Sequence, residues 1–195
     1  MKREAKIERK TKETNIELQL LLDGTGVSDI HTGIGFFDHM LASFAMHGGF
    51  DLSLRCDGDL AVDCHHTIED VGIVLGTAFG DALRDKTGLQ RYGSSFIPMD
   101  EALASCHVDL SGRPFLVCRS RFSTESVGGM DTCMVKEFFY AFSVNSKTTI
   151  HIELLYGEND HHSIEAMFKA FAHALRIAVK RSDTGVLLST KGDLG

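Results

Sequence analysis

The chain carries the same short segment twice. DCHHTIED at 63–70 and NDHHSIEA at 159–166 each place His-His-x-x-Glu in one stretch of helix, and His65 and His161 stand 96 residues apart in a chain of 195. Self-similarity at half the chain length marks a duplicated structural unit. Both copies carry side chains suited to a divalent metal, so the pattern points to a duplicated fold with a paired metal site.

In a helix, positions i, i+3 and i+4 share a face. Glu69 therefore lies beside His65 and His66, and Glu165 beside His161 and His162. Adjacent histidines point about 100° apart at ~3.6 residues per turn, so each pair is better placed to reach two metals than to chelate one. Imidazole with carboxylate is a borderline-hard donor set that suits manganese, iron or zinc. One such motif alone could be a solvated helix face, but two copies at matching positions argue for ligands.

At 43% apolar and 24% charged residues, the chain can bury a full core as one duplicated domain or two half-size ones. Five cysteines at 56, 64, 106, 118 and 133 give an odd count without CxxC spacing, against both a disulfide framework and a thiolate zinc site. They read as small buried residues, with Cys64 beside the metal motif. The start, MKREAKIERKTKE, lacks an apolar signal core, and no apolar run approaches a membrane span. The expectation is a cytoplasmic protein without a membrane partner. A net charge of −7 and a pI near 5.8 weigh against nucleic acid as the main ligand, while leaving room for local cations that bind a small phosphate.

Periodicity supplies the element order. Residues 6–10 and 15–22 read as strands ending at Asp23-Gly24, 34–47 as a helix with Phe37, Leu41 and Phe44 on one face, 50–56 as a strand, and 64–84 as a helix burying Ile68, Val71, Leu75, Ala78 and Ala82. The second half replays this with strands near 102–110 and 114–120, a helix near 131–145, a strand at 149–155, and a helix from Asp160 to Arg181 burying Ile164, Phe168, Phe171, Leu175 and Ala178. The expected fold is α+β, with internally duplicated β-β-α-β-α half-domains spanning 1–90 and 91–195, each admitting an extra short strand. Two mainly antiparallel sheets, each with two helices on one face, bury those faces most simply with the helices as the middle layer.

Several longer motifs add a resemblance. TGIGFFDHML (32–41), DCHHTIEDVGI (63–73), RYGSSFIPMDEALA (91–104), DLSGRPFLV (109–117), GENDHHSIEAMFKAFAHAL (157–175) and STKG (189–192) together resemble imidazoleglycerol-phosphate dehydratase, a lyase of histidine biosynthesis, from about residue 7 to 192. The resemblance implies the duplicated half-domain fold, ribosomal protein S5 domain 2-like. It also implies a homo-oligomer of 24 subunits, with intersubunit active sites holding two manganese ions each.

Carried over residue by residue, the resemblance puts His39, His66, Glu69 and His162 at one metal. It puts His65, His161, Glu165 and Glu137 at the other, Glu137 standing where many members have histidine. The harder oxygen donor still suits manganese. Arg91, Arg113, Lys169, Ser189, Thr190 and Lys191 are implied near the substrate, mainly at its phosphate, where a guanidinium fork and an ammonium match phosphate oxygens. The approach to STKG lacks the usual proline. Glu13 and His47 are also implied near the substrate, together with the ligands His39, His65, Glu69, His161 and Glu165. His31, His107, His151 and His173 are expected in structural or surface roles.

The implied reaction removes hydroxyl from the carbon attached to imidazole and a proton from the next carbon, giving an enol that becomes imidazole-acetol phosphate. With metal on both ring nitrogens the ring ionises to imidazolate and expels the hydroxyl through a diazafulvene-like intermediate, the metals stabilising charge where it develops. Glu13 is the candidate for moving the carbon-bound proton. Two other classes compete. A dimetal phosphate-ester hydrolase would share the ligands and cations but lacks aspartate-rich sites, and a metal-storage shell would need neither Arg91, Arg113 nor STKG.

Overall fold

In the computed structural model, which describes residues 2–182, 185–190 and 192, the two halves repeat one element order. The first half runs β1 (Glu4–Lys10), β2 (Thr14–Leu21), β3 (Ser28–His31), α1 (Gly35–Gly48), β4 (Asp51–Gly58) and α2 (His65–Leu83). The second runs β5 (Tyr92–Met99), β6 (Ala102–Asp109), β7 (Phe115–Arg119), α3 (Met134–Ser146), β10 (Thr149–Tyr156) and α4 (Asp160–Ala178), with a small hairpin, β8 (Ser126–Val127) and β9 (Met130–Asp131), inserted before α3. The sheets have matching orders, β1-β2-β4-β3 and β5-β6-β10-β7. In each, the strand after the first hairpin pairs parallel with the strand that follows a helix, and the other pairings are antiparallel.

The expected α+β fold of duplicated halves is observed, with differences at particular elements. Each half holds a third strand ahead of its first helix. β3 is only four residues long, and β5 contains Gly93, Pro98 and two serines, which blur a strand pattern. Pro98 is tolerated because β5 lies at a sheet edge. α3 begins at Met134 rather than 131 because the preceding residues form the β8–β9 hairpin. α4 stops at Ala178 rather than 181 because Gln90 N–H bonds the Lys180 carbonyl and Leu89 bridges Arg181, drawing the chain into extended pairing.

The helices form the layer between the sheets. α1 and α2 cover the first sheet, α3 and α4 the second, and the layers meet as α1 on α4 and α2 on α3. All the apolar residues expected on the helix faces are buried. Phe171 is ringed by Phe44, Phe139 and Phe142, and Phe79 joins Phe50 to Phe142, so aromatic packing ties the halves together. α2 carries Gly72 and Gly76 at the α3 contact, where a Cβ would lie 2.9 Å from the Phe138 carbonyl oxygen and 2.7 Å from that of Phe142. Glycine is what permits this close approach. The five cysteines are all free, but only Cys64 and Cys106 are buried as expected: Cys56 and Cys118 are partly exposed and Cys133 is exposed. No described helix is long and apolar enough to cross a membrane.

Candidate metal centre and active site

The α1–α4 seam gathers the first group of functional side chains. Nε2 of His39 lies 3.7 Å from Oε2 of Glu165, and Nε2 of His161 lies 3.5 Å from the same oxygen. These separations exceed a hydrogen bond, so the three atoms converge without satisfying one another. Among the described residues they form a group whose donor atoms all fall within 4.8 Å. Two imidazoles and a carboxylate around such a gap fit a divalent ion of the manganese or zinc type. Glu165 is nearly buried, and its other oxygen accepts from Nζ of Lys169 at 2.8 Å. Burial works to raise the Glu165 carboxyl, but Lys169 foremost, with His39 and His161, holds it below the usual range.

The two helices run alongside in the same direction, so the seam continues past this group. One turn beyond Glu165 comes Lys169, and then His47 faces His173 with ring centroids 5.3 Å apart. Burial depresses both imidazoles, with Lys169 adding to the effect at His47 and Arg176 at His173. His47 is thus brought to the same seam as the metal group. His173, expected in an ordinary structural role, is its direct neighbour.

The α2–α3 seam is the counterpart in the duplicate. The left-handed C-caps Gly49 of α1 and Lys147 of α3 occupy equivalent places before β4 and β10, and counting back from them sets His39 opposite Glu137. Glu137 lies in the first turn of α3, partly exposed, on the helix that packs against α2. There Nε2 of His65 stands 3.6 Å from Oε2 of Glu69. Beyond this point the seams differ: Ile73 and Thr77 occupy the places of Lys169 and His173, and Gly72 and Gly76 close the helices together. One seam carries polar side chains at Glu165, Lys169, His47 and His173, and at the matching places the other is closed by its glycines.

The second histidine of each pair faces away from these groups and is held by a carboxylate. Nδ1 of His66 lies 3.0 Å from Oδ2 of Asp59, and Nδ1 of His162 lies 2.8 Å from Oε2 of Glu101. A carboxylate on Nδ1 fixes the tautomer and leaves Nε2 for a ligand, as is usual for metal-binding histidines. Hydrogen bonding to Asp59 and Glu101 raises the two imidazoles, while His162 with the Asn159 backbone N–H lowers Glu101 to about 2. Nε2 of His66 faces Glu13 at 3.8 Å, and Nε2 of His162 faces Asp100 at 3.6 Å. Glu13 and Asp100–Glu101 occupy the equivalent turns β1–β2 and β5–β6. Asp59 and Glu101 went unread in the sequence. For Glu101 the clue available is that duplication places an acidic residue ahead of both β2 and β6; Asp59, just after β4, has no such counterpart.

The grouping of His39 with His66, Glu69 and His162 is expected between subunits, and a single chain does not bring the four together. His39 lies instead with His161 and Glu165, because α1 packs on α4 while Glu69 is carried by α2 against α3. Asp38, next to His39, accepts from the Thr32 backbone N–H at 2.9 Å and its hydroxyl at 2.6 Å, pinning the start of α1.

Apart from Lys169, which bonds Glu165, the expected phosphate residues lie elsewhere. Arg91, at φ 67°, directs its guanidinium to both oxygens of Asp109, at 2.7 and 3.1 Å, and to the Leu188 carbonyl. Asp109, foremost through its hydrogen bond, raises the guanidinium further. The Arg91–Leu188 contact brings the segment with Ser189 and Thr190 alongside Arg91, and Lys191 lies outside the described residues. Arg113 is exposed on the loop before β7, with its carbonyl accepting from the Thr149 hydroxyl. Arg91 N–H bonds the Ala178 carbonyl at the last turn of α4, whereas His161 opens that helix. At ~1.5 Å rise per residue the two ends are about 25 Å apart.

The sequence and the fold both match known proteins. A family model for imidazoleglycerol-phosphate dehydratase matches residues 32–175. Relatives of that name from Lachnoclostridium phytofermentans and Clostridium botulinum are 57% and 54% identical, over 98% and 97% of this chain and the same shares of their own. The solved imidazoleglycerol-phosphate dehydratase of Staphylococcus aureus is 42% identical with a TM-score of 0.83, covering 92% of this chain and 99% of its own. That of Pyrococcus furiosus is 37% identical at TM-score 0.80, covering 95% and 99%. The chain belongs to the imidazoleglycerol-phosphate dehydratase family, hydro-lyases of histidine biosynthesis.

Proposed function

We propose that this chain dehydrates imidazoleglycerol phosphate to imidazole-acetol phosphate through the imidazolate form of the ring, with two manganese ions per active site. The observation carrying this reading is the convergence of His39, His161 and Glu165 on one gap within hydrogen-bond-free reach of one another. The duplication extends it. His65 and Glu69 sit at the equivalent place on the α2–α3 seam, with Glu137 on the facing helix, and the outward-facing His66 and His162 are placed to reach sites shared with neighbouring copies. The same eight residues are the proposed ligands, and their grouping from different copies, His39 with His66, Glu69 and His162, and His65 with His161, Glu165 and Glu137, is part of the proposal. Manganese, when bound, supplies Lewis-acid charge that favours the ionised ring.

The chain's own groups do the rest. Lys169 holds the Glu165 carboxylate in place and leaves one oxygen toward the two imidazoles. His47, whose imidazole burial and Lys169 push toward the neutral form, can donate to or accept from a polar substrate group along the α1–α4 seam. Arg91, Arg113 and the Ser189–Lys191 segment supply phosphate contacts, and Asp109 holds Arg91 oriented for that role. Glu13, exposed beside His66, moves the carbon-bound proton.

A small substrate cannot bridge about 25 Å of helix, so Arg91 meets the metal ligands only if different copies contribute them. That supports a homo-oligomer with intersubunit sites, of the 24-subunit kind. In this reading the half-repeats 1–90 and 91–195 form one catalytic unit working in the cytoplasm. Incubating manganese-loaded protein with imidazoleglycerol phosphate tests the activity. Keto product without phosphate release supports the lyase, phosphate release would indicate a hydrolase, and absence of turnover with full metal occupancy would favour metal storage.

A further inference from the structure

The second half contains a segment that the first half lacks. Only Thr32–Ile34 separate β3 from α1, whereas Ser120–Cys133, including the β8–β9 hairpin, separate β7 from α3. This insert is fastened to both metal motifs at the residue immediately before the histidine pair. At α4, the nearly buried Asp160 carboxylate accepts from the Ser123 backbone N–H at 2.9 Å and hydroxyl at 2.9 Å, and from the Thr124 backbone N–H and hydroxyl, both at 2.7 Å. At α2, the equivalent residue is Cys64, whose Sγ lies 3.4 Å from the Asp131 backbone N–H. Thr132 closes the base of the insert, donating to the carbonyls of Thr124 at 2.9 Å and Glu125 at 3.2 Å.

The tip of the insert returns to the metal group from the other side. Gly128, at φ 55°, sits so close to α1 that a Cβ would lie 2.7 Å from Cβ of Phe36. The Phe36 ring in turn meets the His161 imidazole edge-on, with centroids 4.9 Å apart at 62°. His161 is therefore bounded along the backbone by the Asp160 anchor and at its ring by Phe36 under the hairpin tip.

We propose that the Ser123–Thr132 insert is a clasp that positions His161 for metal binding, with Asp160 as the positioning residue that fastens it. The inference rests on His161 being a metal ligand. Four donors on one carboxylate of low exposure fix the insert where single surface contacts would not, and the fixed insert limits the rotamers open to Phe36 and hence to His161. A ligand held in its coordinating rotamer loses less entropy on binding, so the clasp acts on metal affinity.

The test is manganese titration of the full-length, metal-free protein by calorimetry, with thermal melting of the metal-free protein measured alongside. Asp160→Ala should weaken manganese binding by about 10–100-fold, the range for losing an outer-shell support. Asp160→Asn, which keeps an acceptor oxygen, should recover part of that loss. The pair Ser123→Ala with Thr124→Val removes two hydroxyl donors from the exposed insert and leaves α4 untouched, so it keeps the test open if Asp160→Ala fails to fold. It should weaken manganese affinity with little change in melting. Affinity unchanged in the folded Asp160→Ala protein or in this pair would overturn the clasp. His161→Ala separates the two readings: if it binds manganese like the parent, His161 is not a ligand and the underlying assignment fails, whereas a loss there with parental affinity in the insert variants rejects the clasp alone.

Discussion

Nδ1 of His162 lies 2.8 Å from Oε2 of Glu101, a residue of the β5–β6 turn, and this contact engages one ring nitrogen and leaves Nε2 facing outward. The same relationship recurs between His66 and Asp59, so both outward-facing histidines are oriented by a carboxylate of their own half.

This pair has a pH signature in the metal-free protein. His162 is raised above its ordinary value, so its contribution to stability is fully present below the unfolded imidazole pKa of ~6.5 and is lost as pH rises through the folded value. Glu101, lowered to about 2, contributes above the unfolded carboxylate value and loses that contribution as pH falls toward about 2. Both partners are charged between ~4.3 and ~6.5, where Glu101→Gln should cost most and should lower the His162 titration midpoint. Imidazole NMR and denaturant unfolding across pH check this, and an unmoved His162 midpoint would rule out Glu101 as its support.

Glu13 and Glu165 are expected to fail differently. Glu165→Gln should reduce both manganese content and turnover, because Glu165 belongs to the converging ligand group. Glu13→Gln should retain both ions and substrate binding while lowering kcat by about 10²–10⁴-fold. Metal analysis with steady-state kinetics decides it. Near-normal turnover at full occupancy would remove Glu13 from the chemistry, and lost metal would make it a ligand.

Gly76→Ala sets helix propensity against packing. The propensity gain is up to ~1 kcal/mol, but the new methyl would lie 2.7 Å from the Phe142 backbone oxygen and 3.0 Å from its Cα. Neither atom can move without shifting α3, and overpacking costs about 1–3 kcal/mol, so net destabilisation is expected. Urea unfolding measures it, and a stabilised variant would mean that α3 yields more readily than its packing implies.

Assembly should depend on metal. If ligands from different copies meet at one ion, metal binding is also association free energy, so chelation should convert a large shell into smaller oligomers. Light scattering after verified metal removal gives the answer, and an unchanged mass would exclude this coupling.

The duplicated His-His-x-x-Glu motif, the helix faces and the layer order were legible in the sequence because each is local and periodic. Ile68 through Ala82 and Ile164 through Ala178 announce their buried faces by spacing alone. β5 was illegible because its glycine, proline and serines carry no strand pattern, and the end of α4 because pairing with residues 88–90 overrides the helical periodicity of Lys180 and Arg181.

By itself, then, the sequence determined the duplicated His-His-x-x-Glu pattern, the duplicated architecture and the family likeness, since these depend on residue identity and spacing. Only the tertiary structure decided that His39 stands with His161 and Glu165, that Asp59 and Glu101 orient the outward histidines, and that Arg91 lies at the far end of α4. Those relationships depend on which faces of the four helices meet across the core and on where the turns between strands come to rest. Packing between distant segments sets both, and no local periodicity encodes it.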